Sequence, residues 1–246
     1  MKKMVGVYRM NKYEAISEEM RNRIHTGYYP DDLPIPDELT LAAEFNCSRM
    51  TMKRALDILV AEGLMLRKRG HGTFIVQAPL RDETVNVISE DSKGLSNLVL
   101  GKKVDSKIVS FEVQFPSEEV ARHLSIKRDT PVYSIIRLRN VDDEPYVIEK
   151  TYMPVALIPG LNEEVLYASI YNYIHQSLEL KIGGAHRKIR ADKSNVLDQQ
   201  YLDCHPTDPV LEVEQVGFLN NGIPFEYSFS RHRYDKFVFT TVSISK

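Results

Sequence analysis

Cysteine is nearly absent, with only Cys47 and Cys204 among 246 residues. Two isolated thiols supply neither a disulfide framework nor the paired spacing of a thiolate zinc site, and a reducing cytoplasm is the compartment such usage fits. No run approaches the ~20 apolar residues of a membrane span. The opening Met1-Lys2-Lys3-Met4-Val5-Gly6 reaches charged residues within ten positions and lacks the apolar stretch of a secretory signal. A charge of one sign is missing too, since 32 basic side chains meet 34 acidic ones for a net of −2. There is no nucleophile elbow, no cofactor loop and no metal-ligand cluster, and the seven histidines never fall at ligand spacing. These absences argue against an enzyme, and no cofactor or metal is expected.

What is there is globular, with 43% hydrophobic and 27% charged residues over a length that fits one large or two ordinary domains. The charge is unevenly spread. Residues 1–77 hold 12 Lys and Arg against 10 Asp and Glu, whereas the remainder carries a net of −4. Between Asn46 and Gln77 six cations face only Asp57 and Glu62. A small basic module followed by a larger acidic one is the expected organisation.

Within the first module, Tyr13, Ile16, Met20 and Ile24 recur at three or four residues and predict a helix over 11–26, ended by Gly27 and Pro30. Asp37 can cap a short helix that buries Leu41, Ala42 and Phe45. Ser48 can cap a third, with Met52, Ala55, Leu56 and Leu59 inward before Gly63 stops it. Residues 64–67 and 73–76 then predict strands about the turn Gly70-His71-Gly72. Three helices and a basic hairpin make a winged helix-turn-helix. Its third helix presents Arg49, Thr51 and Lys53 outward, suited to a major groove where arginine grips guanine bidentately. Taken singly, such cations more often line a solvated face; the combination points to double-stranded DNA.

The stretch Ile35-Pro36-Asp37-Glu38, Leu41-Ala42-Ala43-Glu44-Phe45-Asn46-Cys47-Ser48-Arg49-Met50-Thr51-Met52-Lys53-Arg54-Ala55-Leu56, Glu62-Gly63-Leu64 and Arg69-Gly70-His71-Gly72-Thr73-Phe74 resembles the DNA-binding domain of GntR-family bacterial regulators. The resemblance implies DNA contacts from Ser48, Arg49, Thr51 and Lys53 and from the wing residues Arg69, Gly70, His71 and Gly72. The family carries a basic residue at the position of Leu39 and arginine at that of Lys53. Cys47 falls where it has a small apolar residue, so a core role is expected.

The expected division is a head over residues 8–77, a polar linker over 78–90 and a second domain over 91–246. In the latter, strands are predicted at 104–113, 132–139, 146–153, 210–219 and 224–232, the last two joined through Asn220-Asn221-Gly222. Helices are predicted at 117–124, 166–178 and 195–202. Strands without regular helical crossovers mean an antiparallel sheet with helices packed on it, so the fold class is α+β.

Arg137-Leu138-Arg139 places two guanidiniums on one face of a strand, where an anion such as phosphate would relieve their repulsion. Ser169 can cap a helix beginning near 166 or 169, forming a second anion contact. Spacing alone favours a solvent-facing strand whose arginines pair with neighbouring carboxylates, with Ser169 a plain cap. Glu149 and Glu226, inside apolar strands, are ordinary exposed carboxylates or acceptors for ligand hydroxyls. A lone histidine such as His232 is usually structural.

The second domain resembles the UTRA effector-binding domain of the HutC subfamily of GntR regulators, whose fold is chorismate-lyase-like. The matching marks are Arg137-Leu138-Arg139, Asp143-Glu144-Pro145 with Glu149, Pro154, Ile158-Pro159, Ser169-Ile170-Tyr171, Gly222-Ile223-Pro224-Phe225-Glu226 and Ser230-Arg231-His232-Arg233-Tyr234-Asp235-Lys236-Phe237. The last stretch is also similar to trehalose-operon repressors. The resemblance spans residues 8–243 and implies a phosphate clamp of Arg137, Arg139, Ser169 and Tyr171. It implies a sugar contact by Glu149, Glu226 and His232, and a covering loop containing Ser96. The expectation is a cytoplasmic, homodimeric repressor of a carbohydrate-utilisation operon, bound to a palindromic operator and released by a sugar phosphate. The alternative is the same regulator answering to an unphosphorylated carboxylate metabolite.

Overall fold

A computed structural model describes residues 11–30, 33–76 and 102–239. The chain divides into two compact units, whose described residues are 11–76 and 102–239. Ser96 and the expected linker over 78–90 lie outside the described residues.

The first unit contains α1 (Lys12–His25), α2 (Glu38–Glu44) and α3 (Arg49–Ala61), followed by β1 (Met65–Lys68) and β2 (Gly72–Ile75). The caps are those expected. Asp37 accepts from the amides of Leu39 and Thr40 at 3.1 and 2.8 Å, and Ser48 Oγ accepts from Thr51 N at 3.1 Å. Each satisfies amides that the first turn of a helix leaves unpaired. Ile16, Met20 and Ile24 of α1 meet Leu41 and Ala42 of α2 and Met52, Ala55, Leu56 and Leu59 of α3 in one core, which Met65 and Ile75 close from the hairpin. Each of the Ile, Leu and Met side chains withdrawn from water contributes roughly 1.5–3 kcal/mol before entropy is counted. Phe45 and Cys47 are half-buried against this core rather than inside it. Where the wing turns, Gly72 has φ +102°, and a side chain there would bring Cβ to 2.9 Å from that of Pro34.

The second unit is a six-stranded antiparallel sheet in the order β3-β4-β5-β8-β7-β6. Its strands are β3 (Val104–Gln114), β4 (Val132–Val141), β5 (Glu144–Pro154), β6 (Ile182–Lys193), β7 (Pro209–Leu219) and β8 (Pro224–Arg233). Asp142 and Asp143 both take positive φ between Val141 and Glu144, the two-residue turn that matches strand twist. Because successive side chains alternate, one face carries Arg137, Glu149, Ser230, Val213 and Ile189 in a row across five strands. That face is covered by α5 (Glu163–Tyr167) and α6 (Ile170–Gln176), whose Leu166, Ile170 and Ile174 pack with Ile135 and Met153. Against the opposite face, α4 (Glu118–His123) packs Val120 on Tyr152 and Tyr227. Nearby, Leu202 and Cys204 after α7 (Val196–Tyr201) pack on Leu138, Ile148 and Val210.

Two expectations need correction. The single helix expected over 166–178 is two helices, interrupted at Ala168 and Ser169, and the first begins at Glu163. Ser169 is extended and caps α6, its Oγ accepting from Asn172 N at 3.3 Å. Strand β6 was not anticipated. Its Gly183-Gly184 pair and alternating cations lack the β-branched signature of a strand, yet it pairs with β7 along its length after a register shift between Ile182 and Gly184.

Candidate functional site

The head presents its candidate DNA surface at the start of α3. Arg49 is 65% exposed in its side chain and donates from Nε to Glu38 Oε2 at 3.2 Å. Lys53 is exposed, and the Thr51 hydroxyl lies 2.8 Å from Ser48 Oγ, sharing a hydrogen bond within the cap. On the wing, Arg69, Gly70, His71 and Gly72 are all exposed, and His71 Nδ1 lies 3.0 Å from the Arg69 carbonyl. The other wing cations have internal partners. Arg67 pairs with Asp57 and lies 3.7 Å from Glu38, and Lys68 Nζ sits 4.9 Å from the centre of the Phe74 ring. Glu38 on α2 therefore faces Arg49 of α3 and Arg67 of β1, contacts that sequence spacing did not reveal. Leu39 and Met50 leave large apolar side chains exposed, at 62% and 71%.

In the second unit a cavity of about 130 Å³ opens between the sheet and α6. That is roughly ten times what one water requires. Arg137, Arg139, Glu149, Ser169, Tyr171, Glu226 and His232 all line it, so the sheet and helix gather every described residue expected to bind the effector. The two arginines are buried, at 5% and 4% exposure, which excludes a solvent-facing pair. Arg137 Nη2 donates to Glu149 Oε2 at 2.7 Å and its Nη1 to the Leu166 carbonyl at 2.8 Å, while its Nε has no hydrogen-bond partner among the described residues. Burial would raise the Glu149 carboxyl, but the charges of Arg137 and Arg139 outweigh it and hold its pKa below the ordinary value. Burial, reinforced by its neighbour Arg137, lowers the pKa of Arg139 although Glu149 opposes the shift.

The other end of the cavity is a hydrogen-bonded cluster. Tyr171 Oη donates to Glu226 Oε2 at 2.7 Å, and Gln215 Nε2 reaches Tyr171 Oη at 3.1 Å and Glu226 Oε1 at 3.2 Å. Ser228 also donates to Glu226, and Arg187 Nε donates to Gln215 Oε1 at 2.7 Å. Burial raises the pKa of Glu226, and burial followed by the Glu226 charge raises that of Tyr171 well above its ordinary value. The Tyr171 hydroxyl is thus engaged with Glu226. Arg187 and Gln215 were missed because one lies on the unanticipated strand and the other is a neutral residue in an apolar strand. His232 stacks on Phe237 with ring centres 3.9 Å apart, and burial drives its pKa down to about 3. It is neutral at pH 7, and its Nδ1 has no hydrogen-bond partner among the described residues.

Comparison with known proteins places both units. Residues 12–75 match the bacterial regulatory proteins of the gntR family, and residues 99–238 match the UTRA domain. The chain belongs to the GntR family. It is 65% identical over 237 residues to the HTH-type transcriptional regulator GmuR of Bacillus subtilis, covering 96% of this chain and 100% of GmuR. The crystal structure of the possible transcriptional regulator YydK of Bacillus subtilis superposes with a TM-score of 0.77 at 28% identity, over 96% of this chain and 100% of that one. The effector binding domain of the trehalose repressor TreR of B. subtilis gives 0.52 at 31% identity, over 58% of this chain and 99% of that one. As in its family, this chain is a DNA-binding transcriptional regulator with an α+β fold, joining a helix-turn-helix head to a UTRA domain. Its relatives are regulators, not enzymes. No described helix is long and apolar enough to cross a membrane.

Proposed function

We propose that this GntR-family chain is a cytoplasmic, homodimeric repressor of a carbohydrate-utilisation operon, released from a palindromic operator by a phosphorylated sugar. The head spans residues 8–77, the linker 78–90 and the effector domain 91–246. Arg49 and the Arg69 to Gly72 wing contact DNA, with Lys53, Thr51 and Ser48 at the phosphate backbone. Arg137, Arg139 and Ser169 hold the phosphate, and Ser96 covers it. Tyr171, whose hydroxyl donates to Glu226, joins the phosphate clamp to the hydroxyl-binding cluster, and Glu149, Glu226 and His232 meet the sugar.

One observation carries this reading: two arginines lie buried on one face of β4 in a cavity whose opposite end is a cluster of neutral and acidic hydrogen-bonding groups. Glu149 brings one negative charge to two buried guanidiniums, and arginine forks match phosphate geometry. The cluster suits hydroxyls. The kinship with a trehalose repressor's effector domain supports a sugar as well.

The test is thermal unfolding of the purified chain against phosphosugars, each paired with its unphosphorylated parent. A ligand at 100 times its dissociation constant adds ~2.7 kcal/mol, which shifts the transition by several degrees. Stabilisation by one phosphosugar and not by its parent supports the proposal. Stabilisation only by carboxylate metabolites would replace it with the carboxylate-responsive alternative.

A further inference from the structure

The cavity already contains an anion of its own. Glu149 stands directly opposite Arg137 in the β4–β5 register. Its Oε2 lies 2.7 Å from Arg137 Nη2 and 3.6 Å from Arg139 Nη1. One carboxylate oxygen of Glu149 thus faces two buried guanidiniums. Arg137 Nη1 already donates to the Leu166 carbonyl, so its bonds to Glu149 and to a ligand anion draw on the same guanidinium.

We propose that Glu149 is a specificity-determining residue that competes internally for the arginine pair and makes recognition of phosphate and of hydroxyls interdependent. The inference rests on the phosphosugar reading of the same cavity. A ligand with a single carboxylate would exchange one carboxylate for another and leave Glu149 half-buried without its ion pair, so the exchange is unfavourable. A phosphate dianion brings twice the charge and more acceptor oxygens, and offsets part of that loss. The displaced Glu149 then needs donors. On β8 its cross-strand neighbour is Ser230, and Ser230 also lines the cavity. Hydroxyls on the phosphate-bearing molecule supply the rest. Inorganic phosphate alone therefore displaces Glu149 without giving it new partners. An unphosphorylated sugar finds Glu149 held by the arginines. Only a molecule carrying both groups satisfies both ends, which is how the site rejects each half of its ligand.

The test is calorimetric titration of the full chain with inorganic phosphate and with acetate, comparing wild type, Glu149→Gln and Arg137→Ala. Glutamine keeps the size of the side chain and removes the competing charge. Glu149→Gln should bind inorganic phosphate at least about tenfold more tightly than wild type, and should acquire acetate binding that wild type lacks. Arg137→Ala should bind neither anion. Equal phosphate affinity in wild type and Glu149→Gln would overturn the competition while leaving the clamp standing. Phosphate binding by Arg137→Ala at wild-type strength would instead remove the clamp itself. If Glu149→Gln is too unstable to titrate, its unfolding midpoint against phosphate concentration reports the same affinity. A midpoint that rises no faster than that of wild type would contradict the proposal.

Discussion

Arg231 Nη2 on β8 lies 2.8 Å from the Oδ2 of Asp198 on α7, and the Asp198 side chain has no exposed surface. Asp198 also accepts from the amide of Asn195 at 2.8 Å, so one carboxylate both caps the helix and fastens it to the sheet. Arg231 in turn pairs with Asp192 and Glu212. Removing Asp198 leaves a buried guanidinium with a smaller share of its compensating charge. Asp198→Ala should cost about 3–5 kcal/mol, measured by urea denaturation, whereas Asp198→Asn should cost less because the cap survives.

Arg49 is the exposed cation whose guanidinium is oriented by Glu38. Arg49→Ala should weaken operator binding by about 1–3 kcal/mol and relax base preference at one position. A mobility-shift assay at fixed salt checks this, and unchanged binding would remove Arg49 from the interface. Lys53→Ala should weaken all sequences alike and reduce the salt slope by about one.

Arg137→Ala should leave operator binding intact and abolish effector response, because the substitution lies in the UTRA domain. Tyr171→Phe removes the hydroxyl that donates to Glu226. It should disturb discrimination between sugars more than affinity for inorganic phosphate, as read by calorimetry with both probes.

His232 titrates near 6.5 when unfolded and near 3 when folded, through burial. Between these values the unfolded state binds the extra proton, so stability falls as pH drops from about 6.5 toward 3. Glu149, held below its ordinary pKa, acts in the same sense at the acidic end. His232→Gln should flatten the upper part of this dependence in unfolding curves taken across that window. An unchanged pH profile would show that the imidazole is accessible to protons in the folded state.

Much of this was legible before any coordinates. The 3.6-residue spacing of Met52, Leu56 and Leu59 placed α3, and Asp37 and Ser48 announced their helices because capping is a local interaction. Period-two alternation put Arg137 and Arg139 on one face, but burial of that face depends on α5 and α6 folding over it. Ser169 was legible as a cap, but the separate helix ahead of it was not, because the apolar pattern runs through both helices. Strand β6 escaped notice because its pairing with β7, not its own residues, makes it a strand. The contacts of Glu38 with Arg49 and of Tyr171 with Glu226 join residues 11 and 55 positions apart. Such pairings are products of tertiary packing and leave no local signal.

The most direct measurement starts from an operator selected from random duplexes and follows fluorescence anisotropy of that DNA as a stabilising phosphosugar is added. The expected result is release by the phosphosugar, none by its unphosphorylated parent, and none from the Arg137→Ala protein. DNA that stays bound by the wild type while the phosphosugar saturates the cavity would contradict it.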